Sequence, residues 1–280
     1  MRDYFRFDWP RLRSAGKAIP AMAVTALAVA ALASGCGAAG PPRTVTSSPP
    51  VQPLGVSAAQ IARLPVATTY GTTPAAPQDS APFAPETGVV VHPAGTRVIY
   101  ARPGGPAVAA LPATELGSPT WVPVVRSQPG WDQILLPTRP NRSTGWIYLG
   151  GQALRSAYTA YQVDINLASY RLTILDRGRS LGTWTVAEGA AGTPTPAGRT
   201  FVLASLAPRH PTYSPLILPL GAHSATLTTF GGGPGTVGLH GWPDPAVFGH
   251  PVSHGCVRVP PAALRALSRV PLGSPVMITS

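Results

Sequence analysis

Residues 161–176, YQVDINLASYRLTILD, alternate apolar and polar positions twice over. Val163, Ile165 and Leu167 fall on one side of the first run and Gln162, Asp164 and Asn166 on the other. After a turn at Ala168-Ser169 the same alternation returns, and DRG at 176–178 supplies the next turn. A period of two belongs to half-buried strands, so a β-meander is predicted here. Further strands are predicted at SLGTWTVAE, TFVLASL, ATLTTF, TVGLH and PVMITS. One segment has helical spacing: PPAALRALSRV, residues 260–270, opens on proline and sets Ala263, Leu264, Leu267 and Val270 in one stripe. Upstream, residues 88–150 give the short apolar runs VVVH, RVIY, TWVPVVR, WDQILLP and GWIYLG, separated by PGG, QPG and TRPNRSTG. Short strands so closely spaced predict a small β-barrel. The chain is therefore mainly β, with one domain over 88–152 and a second over 158–280.

Ahead of the strands the pattern changes. Residues 36–87 are rich in Pro, Ala, Ser, Thr and Gly, which predicts a flexible tether with a span of about 40 Å. At the start, Arg2, Arg6, Arg11, Arg13 and Lys17 precede the apolar run Ile19 to Leu32 and then Ala33-Ser34-Gly35-Cys36. A basic stretch, an apolar stretch shorter than the ~20 residues of a membrane span, and small residues are the layout of a secretory signal over 1–35. The small residues before the cysteine also resemble a bacterial lipobox, which implies lipidation of Cys36 and anchoring to the outer face of the cytoplasmic membrane. The pair GWDQILLP and GWIYLG resembles bacterial Src-homology-3-like wall-associated barrels, implying a wall-binding role for 88–152. Trp121, Trp131 and Trp146 there are candidates for aromatic core or for the lining of a ligand groove.

Composition narrows the functional classes. Gly 30 and Pro 35 with only 11% charged residues favour loops and β-structure over helix bundles. Taking five basic and two acidic residues away with the signal, from 21 and 10, leaves 16 and 8. That basic excess suits an anionic envelope, but no aromatic residues interleave with it as nucleic-acid binding would require. Of the two cysteines, Cys36 and Cys256 could pair in an oxidising compartment; with Cys36 lipidated, Cys256 is a lone thiol.

Chemistry concentrates in GLHGWPDPAVFGHPVSHGCVRVPP, residues 238–260. A zinc site would need three or four of His223, His240, His250, His254 and Cys256, yet no CxxC or HExxH pairing occurs and Asp244 is the only nearby carboxylate. An inert buried cysteine leaves the glycine of SHGC unexplained. A nucleophilic thiol explains more: it needs a base, and His240 precedes Cys256 by sixteen residues, a distance a loop between two strands can fold back on itself. The base needs an acceptor on its other nitrogen, and without a suitable acid a backbone carbonyl is the candidate. Glycine at 255 would let amides of the 254–256 turn face a developing oxyanion. His210 and His250 have no assigned part.

His240-Gly241 followed by Ser253-His254-Gly255-Cys256-Val257-Arg258 resembles the signature of the L,D-transpeptidase (YkuD-like) catalytic domain. GTPTPAGRTFVL at 192–203 and the hairpin at 161–175 resemble that family's upstream elements, so the likeness covers roughly 158–280. It implies a β-sandwich or barrel with one short helix after the cysteine. It implies that Cys256 attacks a peptidoglycan tetrapeptide stem and expels D-Ala, with His240 as base and the Gly241 carbonyl orienting it. Gly255 and Cys256 would supply oxyanion amides; Arg258, His254 and Ser253 would shape the pocket or hold substrate. No cofactor or metal is implied, and carbapenem-type β-lactams would be inhibitors. An L,D-carboxypeptidase or a lipoprotein-to-wall attachment enzyme would use the same chemistry, whereas a non-catalytic wall-binding lipoprotein would not. Trp242 stands where relatives often carry small polar residues.

Overall fold

The computed structural model describes residues 49–280; the expected signal and Cys36 lie outside the described residues. After a single helical turn, α1 (Ala58–Ile61), the first domain is built from β1 (Val89–Pro93), β2 (Arg97–Tyr100), β3 (Ala107–Leu111), β4 (Thr114–Glu115), β5 (Ser118–Pro119), β6 (Val122–Gln128), β7 (Trp131–Leu135), β8 (Thr144–Tyr148) and β9 (Leu154–Tyr158). Seven of these form an antiparallel sheet in the order β3-β2-β8-β7-β6-β1-β9. Trp131 and Trp146 are buried with Tyr100, so these tryptophans are core. Trp121 instead lies over His92, with ring centroids 5.1 Å apart. Because β9 pairs with β1 along its whole length, from Val89 opposite Tyr158 to Pro93 opposite Leu154, this domain runs to Tyr158 rather than stopping at 152.

The second domain opens with the predicted meander: β10 (Tyr161–Asn166), β11 (Arg171–Asp176) and β12 (Arg179–Thr185). Val163 faces Ile174 and Ile165 faces Leu172 across the hairpin, all buried, which is the alternation of the sequence turned into one face. There follow β13 (Glu188–Gly189), β14 (Gly198–Phe201), β15 (Ile217–His223), β16 (Thr236–Gly241), β17 (Pro251–Ser253), β18 (Val257–Val259), α2 (Pro261–Leu267) and β19 (Pro275–Thr279). A five-stranded sheet, β12-β11-β10-β19-β14, and a three-stranded one, β15-β16-β18, share a core with α2. Leu218, Leu239, Val257 and Val259 come from the second sheet, and Ala263, Leu264 and Leu267 from the helix. Each such buried aliphatic side chain contributes about 1.5–3 kcal/mol. The helix starts with Pro261 in its first turn, as predicted, and is shorter than predicted, ending at a Ser268 cap.

Two expectations are corrected. The tether predicted over 36–87 is, in its described part, a strap packed on both domains. Ala67 donates to the Ala110 carbonyl and Ala110 to that of Pro65, covering the open edge of β3; Thr73, Asp79 and Thr144 bond between strap and β7–β8 connection in the same way. Val51 accepts from the Trp131 indole at 2.7 Å. Asp79 takes a bidentate bond from Arg199 of β14, at 2.7 and 2.9 Å, with Glu86 3.4 Å away on the same guanidinium. Proline-rich chain lacks large apolar side chains, so composition reads as disorder; here main-chain bonds and one buried ion cluster hold it instead. The predicted strand ATLTTF is also absent. Ser224 Oγ accepts from the amides of Thr226 and Leu227, which turns the chain out of the sheet, and Phe230 closes a tight turn with Gly233. The two domains share apolar surface: Phe201 and Leu203 of the second pack into the core of the first.

Asp79→Ala should cost about 3 kcal/mol, because it removes the bidentate partner of a buried guanidinium and leaves it Glu86 alone, and thermal unfolding measures the loss. Glu115 is buried with one carboxylate oxygen unpartnered; burial lifts it from 4.5 to about 7, against the pull of the Thr69 amide. A carboxyl raised on folding adds stability that is complete below the unfolded value and lost as pH rises through the folded one. The melting temperature should therefore fall as pH rises from 4.5 to about 7, and Glu115→Gln should flatten that slope.

Candidate active site

Strands β16 and β18 lie side by side and parallel, with Leu239 opposite Val257, His240 opposite Arg258 and Gly241 opposite Val259. Side chains alternate across a strand, so Leu239, Val257 and Val259 enter the core while Gly238, His240, Cys256 and Arg258 share the other face. The motif's three working side chains are brought together by register, and Gly238 leaves no side chain beside Cys256.

His240 is almost wholly buried, and its Nδ1 lies 2.8 Å from the carbonyl oxygen of Gly241. A carbonyl can only accept, so Nδ1 carries the hydrogen and Nε2 presents a lone pair. Burial depresses the imidazole pKa, the Gly241 carbonyl opposes that, and the Arg258 charge adds to it. Gly241 is itself fixed: its amide donates to Ser214 Oγ at 2.8 Å, and Ser214 donates to the Leu216 carbonyl at 2.5 Å. A Cβ on Gly241 would meet Leu264 and Ser214 at 3.1 Å.

Cys256 is a free, partly accessible thiol. Burial raises its pKa, while the Gly238 amide and Arg258 charge pull it down. Burial thus works against the charged form of both thiol and imidazole. The turn carrying the cysteine is braced from two sides. Ser253 Oγ donates to the Cys256 carbonyl at 2.5 Å and accepts from the Gly255 amide at 3.0 Å. Thr195 Oγ1 donates to the Gly255 carbonyl, and Thr193 Oγ1 to that of Ser253, both at 2.9 Å. Gly255 has φ +114, which a side chain would strain. The Gly255 amide, expected to face an oxyanion, donates to Ser253 Oγ in this structure.

Arg258 is in no ion pair among the described residues. Its guanidinium carbon sits 3.6 Å over the Trp242 ring and its Nε has no hydrogen-bond partner. Tyr213 stands edge-on to the His240 ring at 4.9 Å and near Trp242 at 5.7 Å. His254 is exposed and stacks on Phe230 at 4.8 Å, so it lies on the rim and not in the pocket floor. His210 and His250 are exposed, and His250 bonds through its main chain, its carbonyl accepting from the Glu188 amide and its amide donating to the Val247 carbonyl. His223 is fully buried away from the thiol, with Nε2 2.8 Å from the Thr69 carbonyl, and burial brings its pKa down to about 4. Ser214, Tyr213 and Phe230 carried no sequence signal; Thr193 and Thr195 lay in a recognised element without an assigned part.

Residues 160–278 match the family model of the L,D-transpeptidase catalytic domain. The match covers somewhat less than half of the chain and spans β10 to β19. No curated protein matches the chain significantly. Solved structures similar to it include L,D-transpeptidase 3 from Mycobacterium tuberculosis with a faropenem-derived adduct, at 15% identity, 50% of this chain, 75% of that one and TM-score 0.36. An L,D-transpeptidase from Mycobacterium smegmatis matches at 15% identity over 54% and 91% with TM-score 0.35. The catalytic domain of the Enterococcus faecium L,D-transpeptidase matches at 22% over 42% and 95% with TM-score 0.34.

The burial of both thiol and imidazole has a kinetic signature. Alkylation of Cys256 by iodoacetamide should accelerate continuously from about pH 6 to about pH 9, following the thiolate fraction. A rate that stays flat down to the acidic end would instead mean a preformed thiolate–imidazolium pair.

Proposed function

We propose that the protein is a peptidoglycan L,D-transpeptidase acting through a Cys256 thioester. The observation that carries this reading is the His240 Nδ1 bond to the Gly241 carbonyl, which leaves Nε2 as a base on the face shared with Cys256. His240 Nε2 takes the thiol proton as sulfur attacks the carbonyl of the diamino-acid–D-Ala bond in a tetrapeptide stem. The Cys256 amide donates to the oxyanion so formed. As the C–N bond breaks, His240 returns the proton to the departing D-Ala amine, leaving a thioester. An amine of a second stem then attacks, gives its proton to His240, and the thiol is restored with a cross-link made. Arg258, a cation held flat on Trp242 without a carboxylate of its own, binds the D-Ala carboxylate. The layout of residues 1–36 supports export and lipidation at Cys36, so in this reading the enzyme works at the outer face of the membrane, with peptidoglycan stems as its partners.

Cys256→Ala should abolish D-Ala release from tetrapeptide stems, and His240→Ala should slow it about 10²–10⁴-fold. Intact-mass spectrometry should show one carbapenem adduct on the wild-type protein and none on Cys256→Ala. An unmodified wild-type mass would sink the proposal. Dimer formation with an amine acceptor separates transpeptidase from carboxypeptidase or attachment activity, and absence of D-Ala release leaves only a wall-binding protein.

A further inference from the structure

The cysteine turn is met from outside by a hairpin that the first domain holds. Residues 224–235, between β15 and β16, fold back on themselves, with Phe230 and Gly233 exchanging main-chain hydrogen bonds at the tip. Phe230 is half exposed, and its ring stacks on His254, two residues before the nucleophile. At its base the hairpin rests on Arg139, from the β7–β8 connection of the first domain. Arg139 Nη1 donates to the Ser224 carbonyl at 2.9 Å, and Nη2 to those of Leu227 at 3.1 Å and Pro234 at 2.9 Å. Next to it, Asn141 donates to the His223 carbonyl at 2.7 Å and accepts from the His223 amide at 2.8 Å. Arg139 makes no ion pair among the described residues; its donors go to the hairpin.

A guanidinium satisfying three carbonyls of one loop fixes the relative position of both arms, which a single ammonium cannot do. Most of the hairpin is exposed and its tip is glycine-rich, Gly231-Gly232-Gly233, so its order depends on its base. We infer that the first domain is a working part of the active site: Arg139 is a positioning residue that holds the 224–235 hairpin so that Phe230 stays on His254 and steadies the turn presenting Cys256. The inference rests on the nucleophile assignment made above. It gives residues 88–158 a catalytic duty separate from any contact with the wall.

The test uses the full chain. In Arg139→Ala, amides of the hairpin should exchange with deuterium about tenfold faster while those of β10, β11 and β19 are unchanged. Carbapenem acylation of Cys256 should slow about tenfold, a misplacement effect. Phe230→Ala should show the same acylation defect, and the double variant should be no slower than either single one, since both break one chain of contacts. Arg139→Lys should fall between wild type and Arg139→Ala. Unchanged hairpin exchange in Arg139→Ala overturns the inference, as does wild-type acylation of Phe230→Ala. Should Arg139→Ala lose protection throughout the fold, Phe230→Ala, an exposed substitution, decides the matter. A wild-type protein that takes no adduct defeats the assignment of Cys256 instead, and hairpin exchange then judges the clamp by itself.

Discussion

The hydrogen bond from His240 Nδ1 to the carbonyl of the very next residue is the constraint on which the site turns. A carboxylate in that position would favour the imidazolium; a carbonyl fixes the tautomer without adding a charge. The histidine can then be buried and still remain a neutral base. Under the proposed mechanism the Gly241 peptide plane orients the base, and its surroundings hold that plane in place. Ser214 holds its amide, the neighbours at 3.1 Å leave no room for a side chain, and β18 pairs with it in register. Without that plane the imidazole would have no preferred orientation toward the thiol.

His240 lies on β16 and Cys256 immediately precedes the neighbouring β18, so the pairing of these two strands sets their separation. The threonines of the 192–198 element clamp the cysteine turn from below through carbonyl oxygens, while Phe230 covers it from above. Charge is used sparingly. The face shared by base and nucleophile carries one cation, Arg258, and an aromatic surface on which it lies. Burial of this kind disfavours the charged forms of His240 and Cys256 and strengthens electrostatic interactions made there.

Periodic features were legible in the chain. The 161–176 hairpin, the α2 stripe and the grouping of His240 with Cys256 all follow from patterns of two, of three to four, and of a tight cysteine-glycine turn. What escaped lacks periodicity. The strap over 64–86 is folded by main-chain bonds to strand edges and by Asp79 meeting Arg199, a partner 120 residues away. Threonine-rich ATLTTF has strand propensity, but Ser224 offers its amides a competing acceptor. Gly255 was rightly singled out for its backbone, yet its amide serves the turn because Ser253 is close enough to claim it. Ser214 sits between prolines with no sequence signal, and only the folded chain brings it to Gly241.

The packed strap also changes how a pull on the chain would be borne. Tension entering at Val51 would reach the Trp131 indole, the edge of β3 and the Asp79–Arg199 pair before it reached the strands beside Cys256. The load would fall on these contacts first and leave the thiol's surroundings undisturbed.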